Sequence, residues 1–302
     1  MNRVVVLTLI LTCLSMGMKA EKALPILGIA HVAIQVSNLE QSRAYYTAFY
    51  GFEFAFAAYE DREAWYLKIN DDQFLKLVSK PEGTDDNRLV EIAFQVSDIE
   101  TTVMMLRERG LDPAPVEKKS DGTLASVLAG PNGHHLLFVE YTSDSKQTLS
   151  RGKHLGSRRV SDRLQHVGIT ISDEEAANAL YREALGFREI WRGSRKDGGP
   201  DAWVNMQMPG DRGDYVEYIL INDLKPSRRQ LGTMHHICYL TDDIRKAHQD
   251  MLFNALPDLE RYEPMIGRSN RWLFNVHDPD GTRSELMESR EAVIKSKPKS
   301  KQ

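Results

Sequence analysis

Two histidines and two glutamates recur at nearly equal spacing in the second half of this 302-residue chain. His166 and Glu217 are 51 positions apart, and His236 and Glu285 are 49 apart, so nearly the same step occurs twice. The two histidines begin short runs of alternating apolar residues, a pattern typical of β-strands. Two imidazoles with one or two carboxylates suit divalent Fe, Ni, Zn, Mn or Co. The spacing therefore predicts a divalent-metal site at these four residues, although Glu217 could instead act as a base or face solvent.

The strands that carry these histidines belong to a pattern that occurs four times along the chain. Each copy is an alternating apolar strand, then Ser or Thr with Asp or Asn, then residues with helical periodicity. Shorter strand-like runs and tight turns follow each helix, which predicts a βαβββ unit. The copies begin at His31, Glu91, His166 and His236, and the predicted helices end at Gly51, Gly110, Gly186 and Asn254.

Four such units predict an α+β protein and account for most of the chain. We expect a first domain at residues 27–142, a polar linker at 143–162, and a second domain at 163–290. Residues 1–20 read as a signal peptide, because a basic residue precedes an apolar run and small residues follow it. A membrane anchor is less favoured, because this run is shorter than the roughly 20 apolar residues that span a bilayer. Residues 291–302 form a basic tail that we expect to be disordered. The protein is therefore expected to be secreted or periplasmic, with no membrane span after the leader is cleaved.

Composition narrows the possible partners. The chain is 41% hydrophobic and 27% charged, which is the balance of a soluble globular protein, and its formal net charge is -4. A weakly acidic protein has no general electrostatic attraction for nucleic acid. Nucleic-acid binding is therefore disfavoured. The chain is expected to be a monomer or a homodimer.

Two segments of the repeats resemble a known protein family. The helix end at Tyr181–Phe187 and the hairpin at Asp278–Leu286 resemble the vicinal oxygen chelate superfamily, and the resemblance covers roughly residues 27 to 290. That superfamily includes glyoxalase I, methylmalonyl-CoA epimerase, extradiol ring-cleaving dioxygenases and metal-free bleomycin-resistance proteins. The resemblance implies that two βαβββ units pair into a cupped sheet around a divalent metal, and that four units form two such domains. It also implies ligands on the first and last strands of each unit, where His166, Glu217, His236 and Glu285 stand.

The first domain departs from that ligand pattern. His31 is present, but Lys76 or a neighbour, Glu91 and Leu137 stand at the other three expected positions. We therefore expect no complete metal site in the first domain, which would be structural or would shape the substrate pocket. A rarer arrangement in the family would join His31 to His236 and Glu285 across the two halves.

The expected reaction is that of a glyoxalase-I-like lyase or isomerase. The substrate would be a small hydroxycarbonyl or dicarbonyl whose vicinal oxygens bind the metal, and the reaction would pass through a metal-bound enediolate. Glu217 or Glu285 would move the proton as the catalytic carboxylate. The four-residue ligand set favours this interpretation.

Two alternatives remain open. An Fe(II) extradiol-type dioxygenase would use His166, His236 and Glu285 as a facial triad. Such enzymes usually carry a His after Gly-Arg and a Tyr on the strand before the last turn, where this chain has Ser269 and Asn275. A non-catalytic binding protein for an apolar ligand is the second alternative, with aromatic side chains as the pocket lining.

Overall fold

The computed structural model describes residues 22–80, 87–130, 134–221, 227, 234–253 and 263–289. The predicted leader, the basic tail and Asn254 lie outside these residues, so export and the end of the fourth helix stay predictions. Among the described residues, no helix combines the length and the apolar character that a membrane crossing requires.

The first half of the chain forms an eight-stranded sheet. Its strands are β1 (Ile26–Val36), β2 (Phe54–Tyr59), β3 (Glu63–Lys68), β4 (Phe74–Ser79), β5 (Leu89–Val96), β6 (Glu117–Lys118), β7 (Leu124–Ala129) and β8 (His135–Glu140). Their order across the sheet is β2-β3-β4-β1-β5-β8-β7-β6. Strands β1 and β5 pair antiparallel at the centre, and each pairs in parallel with the last strand of its own unit.

The second half repeats this topology strand for strand. Its strands are β9 (Arg163–Ile171), β10 (Arg188–Ser194), β11 (Asp201–Gln207), β12 (Tyr215–Leu220), β13 (His236–Thr241), β14 (Met265–Ile266), β15 (Trp272–His277) and β16 (Arg283–Glu288). The order is β10-β11-β12-β9-β13-β16-β15-β14. Two curled eight-stranded sheets, each built from two βαβββ units, confirm the predicted α+β fold class.

One helix follows the first strand of each unit: α1 (Leu39–Tyr50), α2 (Ile99–Glu108), α4 (Glu174–Asn178) and α5 (Ile244–Phe253). The predicted caps form, because Asn38, Asp98 and Asp173 each accept a hydrogen bond from a backbone N–H in the first helical turn. Glycine follows the first helix in the left-handed conformation, with φ of 70° at Gly51. The third helix differs from the expectation, because it widens into a π-helix over Ala179–Ala184.

The two sheets are joined by buried polar contacts as well as by a shared apolar core. The side chain of Gln73 bridges the halves, since its amide donates to the Leu164 carbonyl at 2.8 Å and its oxygen accepts from the Leu164 N–H at 3.0 Å. Asp214 accepts from the Ile29 N–H at 2.9 Å. The predicted linker contains α3 (Lys146–Leu149), and the side chain of Gln147 within it is buried.

Candidate metal centre

The four predicted ligands stand on the four central strands of the second sheet, in two rows of cross-strand neighbours. One row joins Glu217 of β12 to Gly168 of β9 and His236 of β13. The other joins His166 of β9 to Cys238 of β13, which is opposite Glu285 of β16. The side chains of both rows share one face of the sheet, because side chains two residues apart on a strand point the same way.

The donor atoms of these side chains converge in a buried place. The Nε2 atoms of His166 and His236 are 3.0 Å apart. Glu217 Oε2 lies 3.4 Å from His236 Nε2, and Glu285 Oε1 lies 3.9 Å from His166 Nε2. Both histidines are almost fully buried, and the Glu217 side chain is 13% exposed. The structure therefore brings together all four residues that the sequence singled out.

These separations fit donors that share one ion. Two donors held at about 2.1 Å from the same metal lie about 3.0 Å apart at right angles, and at most about 4.2 Å apart. All three separations fall within that limit. Donors of His166, Glu217 and His236 lie within 4.8 Å of one another, and so do those of His166, Cys238 and Glu285. The donor set suits a divalent transition metal, with the Cys238 thiol as a further donor within reach.

Burial around the cluster disfavours the charged forms of all four side chains when no cation is bound. Burial lowers the pKa of His166 and His236 well below the ordinary range, and the nearby arginine charges add to the effect. Burial also raises the pKa of both glutamates, and for Glu217 the Glu285 carboxylate raises it further. A divalent cation would reverse this balance, because it stabilises two carboxylates in one place.

His236 must hold its proton on one particular ring atom to bind a metal through Nε2. Its Nδ1 lies 3.2 Å from the Met234 carbonyl and 2.5 Å from Nη2 of Arg283. A proton on Nδ1 can be donated to Met234 and leaves the Nε2 lone pair free, whereas accepting from Arg283 places the proton on Nε2. Competition between Met234 and Arg283 for Nδ1 therefore controls whether this ligand is available.

Several residues beside the cluster were not assigned a role from the sequence. Asn205 is opposite Glu217 and Asn275 is opposite Glu285. The side-chain oxygen of each is buried, and it has no hydrogen-bond partner among the residues that the structure describes. The two asparagines are 70 positions apart, as are His166 and His236, so the same step would have found them. Cys238, the cross-strand neighbour of both His166 and Glu285, was likewise not assigned a role.

Two arginines, of which Arg271 is buried and Arg283 is partly exposed, lie beside the cluster. Arg271 is 3% exposed, and its Nη2 donates to the Tyr215 hydroxyl at 3.0 Å. The Tyr215 ring stacks on the His166 ring at a centroid distance of 4.4 Å. Arg283 is the cross-strand neighbour of His236. These contacts hold positive charge beside the two glutamates, and no spacing rule in the sequence indicated them.

The positions of the first sheet that correspond to the four proposed ligands hold a different set of side chains. His31, Lys76, Glu91 and Leu137 occupy the register positions of His166, Glu217, His236 and Glu285. Among the described residues, His31 joins no group of three metal-capable donors, and its Nε2 lies 2.9 Å from Glu91. The described part of the chain thus offers no metal site on the first sheet.

The sequence of this chain is similar to those of several known proteins. Residues 165–269 match the sequence family described as the Glyoxalase/Bleomycin resistance protein/Dioxygenase superfamily. A metapyrocatechase from Geobacillus stearothermophilus is 23% identical over 280 residues, which are 85% of this chain and 79% of that protein. An ethylmalonyl-CoA/methylmalonyl-CoA epimerase from Cereibacter sphaeroides is 29% identical over 126 residues, which are 39% of this chain and 90% of that protein.

Solved structures show the same two-domain fold. A variant of homoprotocatechuate 2,3-dioxygenase from Brevibacterium fuscum aligns with a TM-score of 0.65 and 22% identity, over 89% of this chain and 73% of that one. The 2,3-dioxygenase LapB from Pseudomonas sp. KL28 aligns with a TM-score of 0.65 and 16% identity, over 89% of this chain and 94% of that one. At these identities the likeness concerns the fold.

Proposed function

We propose that this chain is a divalent-metal-dependent enzyme of the glyoxalase/bleomycin resistance protein/dioxygenase superfamily, and that it moves a proton on a small hydroxycarbonyl or dicarbonyl substrate. The observation that carries the proposal is the convergence of two carboxylates on two imidazoles whose Nε2 atoms are 3.0 Å apart. In this proposal His166, His236 and Glu285 hold the metal, and Glu217 completes the set.

The metal would supply Lewis acidity, because a divalent cation bound to two adjacent substrate oxygens makes the neighbouring C–H more acidic. The protein would supply a carboxylate to accept that proton. Glu217 suits this role, because its side chain retains some exposure while the histidines have almost none. A carboxylate that both contacts the metal and takes the proton needs no further base on the sheet.

Neighbouring side chains would hold the substrate and the charge that develops on it. Arg271 and Arg283 place two positive charges near the glutamates, and such fixed charges stabilise an oxyanion without reorganisation. Asn205 and Asn275 present buried amides on either side of the cluster. Their unpartnered oxygens suit a hydroxyl donor of the substrate.

The proposal is tested by proton exchange. Hydroxyacetone in D₂O should gain deuterium next to its carbonyl faster with metal-loaded protein than with chelator-treated protein, as followed by proton NMR. Glu217→Gln should slow this exchange by roughly 10²–10⁴-fold, because it removes a general base. Glu175→Gln is the matched control, since Glu175 is exposed on α4 of the same unit. Equal exchange in both variants, or none with any divalent metal, would contradict proton transfer by Glu217.

A ring-cleaving dioxygenase is the second candidate, and the similarity along the whole chain favours it. The metapyrocatechase matches 85% of this chain, whereas the epimerase matches 39%. His166, His236 and Glu285 would then bind Fe(II) as the facial triad. The position opposite Glu285 on β15 holds Asn275, which lacks the acidic hydroxyl that a tyrosine would provide there.

Oxygen uptake separates the two candidates. Protein loaded anaerobically with Fe(II) is mixed with catechol in an oxygen electrode, and a yellow ring-opened product is followed by absorbance. Proton transfer as the main activity predicts no catalytic uptake under conditions in which deuterium exchange proceeds. Catalytic uptake without exchange would replace the first candidate with the second.

A further inference from the structure

The concave face of the first sheet encloses a cavity of about 330 Å³. This size lies within the range of small-molecule sites in proteins. Its floor includes His31, Lys76 and Glu91, the residues that stand in register with three of the proposed metal ligands on the second sheet. The cavity therefore lies in the first domain where the metal cluster lies in the second.

The concave face of each sheet is called its cup. In the cup of the first sheet, the Lys76 ammonium group provides positive charge where the cup of the second sheet would hold a metal. Lys76 Nζ lies 2.6 Å from Glu91 Oε1, and the same oxygen lies 2.9 Å from His31 Nε2. Only 13% of each side chain of the Lys76–Glu91 pair is exposed. Lys76 has two further N–H groups, and no hydrogen bond to the second oxygen of Glu91 occurs among the described residues. One donor and one acceptor thus stand side by side on the floor.

The charge state of the floor excludes a strongly charged ligand. Burial alone would raise the pKa of Glu91, but the Lys76 charge and the His31 hydrogen bond outweigh it and hold that pKa well below its usual range. Burial lowers the pKa of His31, so its imidazole is neutral at pH 7. Asp121 at the cavity wall is also ionised, because hydrogen bonds from Thr123 and Gln147 outweigh its burial. Charged side chains of both signs also stand on the cavity wall: Glu60, Asp61, Arg62 and Lys119. A strongly charged ligand of either sign would therefore face groups of its own sign.

Apolar side chains line two sides of the cavity. The Tyr66 ring packs edge-to-face against the His31 ring, with 5.4 Å between the two ring centroids, and it stacks on the Phe56 ring. Aliphatic side chains cover the opposite side, where Leu137 replaces the last ligand of the other cup: Val90, Val127, Leu137 and Val139. Such walls accept a flat or compact apolar body and contribute affinity by burying it.

We propose that the cup of the first sheet is a second, metal-independent binding site for a small uncharged molecule with two adjacent oxygens on an apolar body. One hydroxyl of this molecule donates to the second oxygen of Glu91, and the neighbouring oxygen accepts from Lys76 Nζ. The site goes beyond the metal centre and does not depend on it, so either can fail alone.

Catechol is a suitable probe, because it is uncharged at neutral pH and carries two adjacent hydroxyls on an aromatic ring. Isothermal titration with chelator-treated protein should show one binding event, and His236→Ala should leave its Kd unchanged. Lys76→Met should weaken it by about tenfold or more, since it removes a charged donor. Phenol, with one oxygen, should bind more weakly than catechol. Lys118→Met is the matched control, because Lys118 is exposed and pairs with Asp144 at the surface.

A second variant keeps the test decisive if Lys76→Met fails to fold. Leu137→Phe places a larger side chain in the cavity, which leaves less room for a ligand and keeps the polar floor unchanged, so it should also weaken catechol binding. The proposal is overturned if metal-free protein does not bind catechol in the millimolar range, or if Lys76→Met and Leu137→Phe both bind it like the wild type. It is also overturned if His236→Ala abolishes the event, because the probe would then occupy the second cup.

Discussion

Gly168 allows His236 to reach the centre of the second cup, and replacing it tests the ligand set by geometry. A Cβ added at Gly168 would lie 2.0 Å from Cε1 and 2.1 Å from Nδ1 of His236. Ordinary contact for such atoms begins near 3.4 Å, so the ring must move by about 1.4 Å. Metal–ligand distances tolerate only about 0.2 Å. Gly168→Ala should therefore remove His236 from the ligand set.

The expected effect is a loss of metal affinity without loss of the fold. Displacing one ligand should weaken binding by at least the 10–100-fold that disturbing a ligand's supporting contacts typically costs, or about 1.4–2.8 kcal/mol. The backbone does not oppose alanine here, because Gly168 does not have a left-handed φ. The assay is competition between the protein and a chromophoric chelator for Co(II) or Zn(II), with circular dichroism to verify folding.

Ala33 provides the matched control. It holds the same register position between Lys76 and Glu91 on the first sheet, so Ala33→Gly makes the reverse change where no metal is proposed. Metal affinity should be unchanged in Ala33→Gly. Wild-type affinity in folded Gly168→Ala would refute the assignment of His236 as a ligand, whatever the metal.

Two further predictions concern stability. The pKa of Glu91 lies well below its ordinary value of 4.5, so the unfolded chain binds more protons than the folded one as the pH falls below about 4.5, and stability is lost there. Glu91→Gln should remove this part of the acid dependence of the free energy of unfolding, measured in urea from pH 7 to 3. An unchanged dependence would contradict the pairing of Glu91 with Lys76. The buried hydroxyl of Tyr46 donates to Asp278 across the two halves at 3.1 Å. Tyr46→Phe should therefore lower the free energy of unfolding by about 1–3 kcal/mol, whereas Tyr59→Phe at an exposed site should not, and equal effects would argue against this contact.

The four-unit fold was predictable because its signals are local. Alternating strands and a capping Asn or Asp occur in each unit, and a terminal glycine occurs in three of the four. Each of these signals depends on neighbouring residues. The equal step from His166 to His236 and from Asn205 to Asn275 reflects the repeat itself. The π-helical turn at Ala179–Ala184 was not predicted, because its sequence has ordinary helical periodicity.

The surroundings of the site were not predictable in the same way. Cys238 comes to lie between His166 and Glu285 only because three distant strands pair in one register. Arg271 and Arg283 reach the cluster from the last hairpin, and spacing along the chain does not indicate where a long side chain ends. The sequence predicted that Lys76 and Glu91 would replace ligands, but their contact with each other depends on side-chain conformation across two strands.

Elemental analysis of the purified protein shows whether the second sheet holds a metal ion. About one divalent transition metal per chain is expected after loading and desalting, and it should be lost in His236→Ala. His135→Ala is the control, because His135 is exposed on the first sheet and should leave the metal content unchanged. No stoichiometric metal in the wild-type protein, or undiminished metal in His236→Ala, would contradict a metal centre built from His166, Glu217, His236 and Glu285.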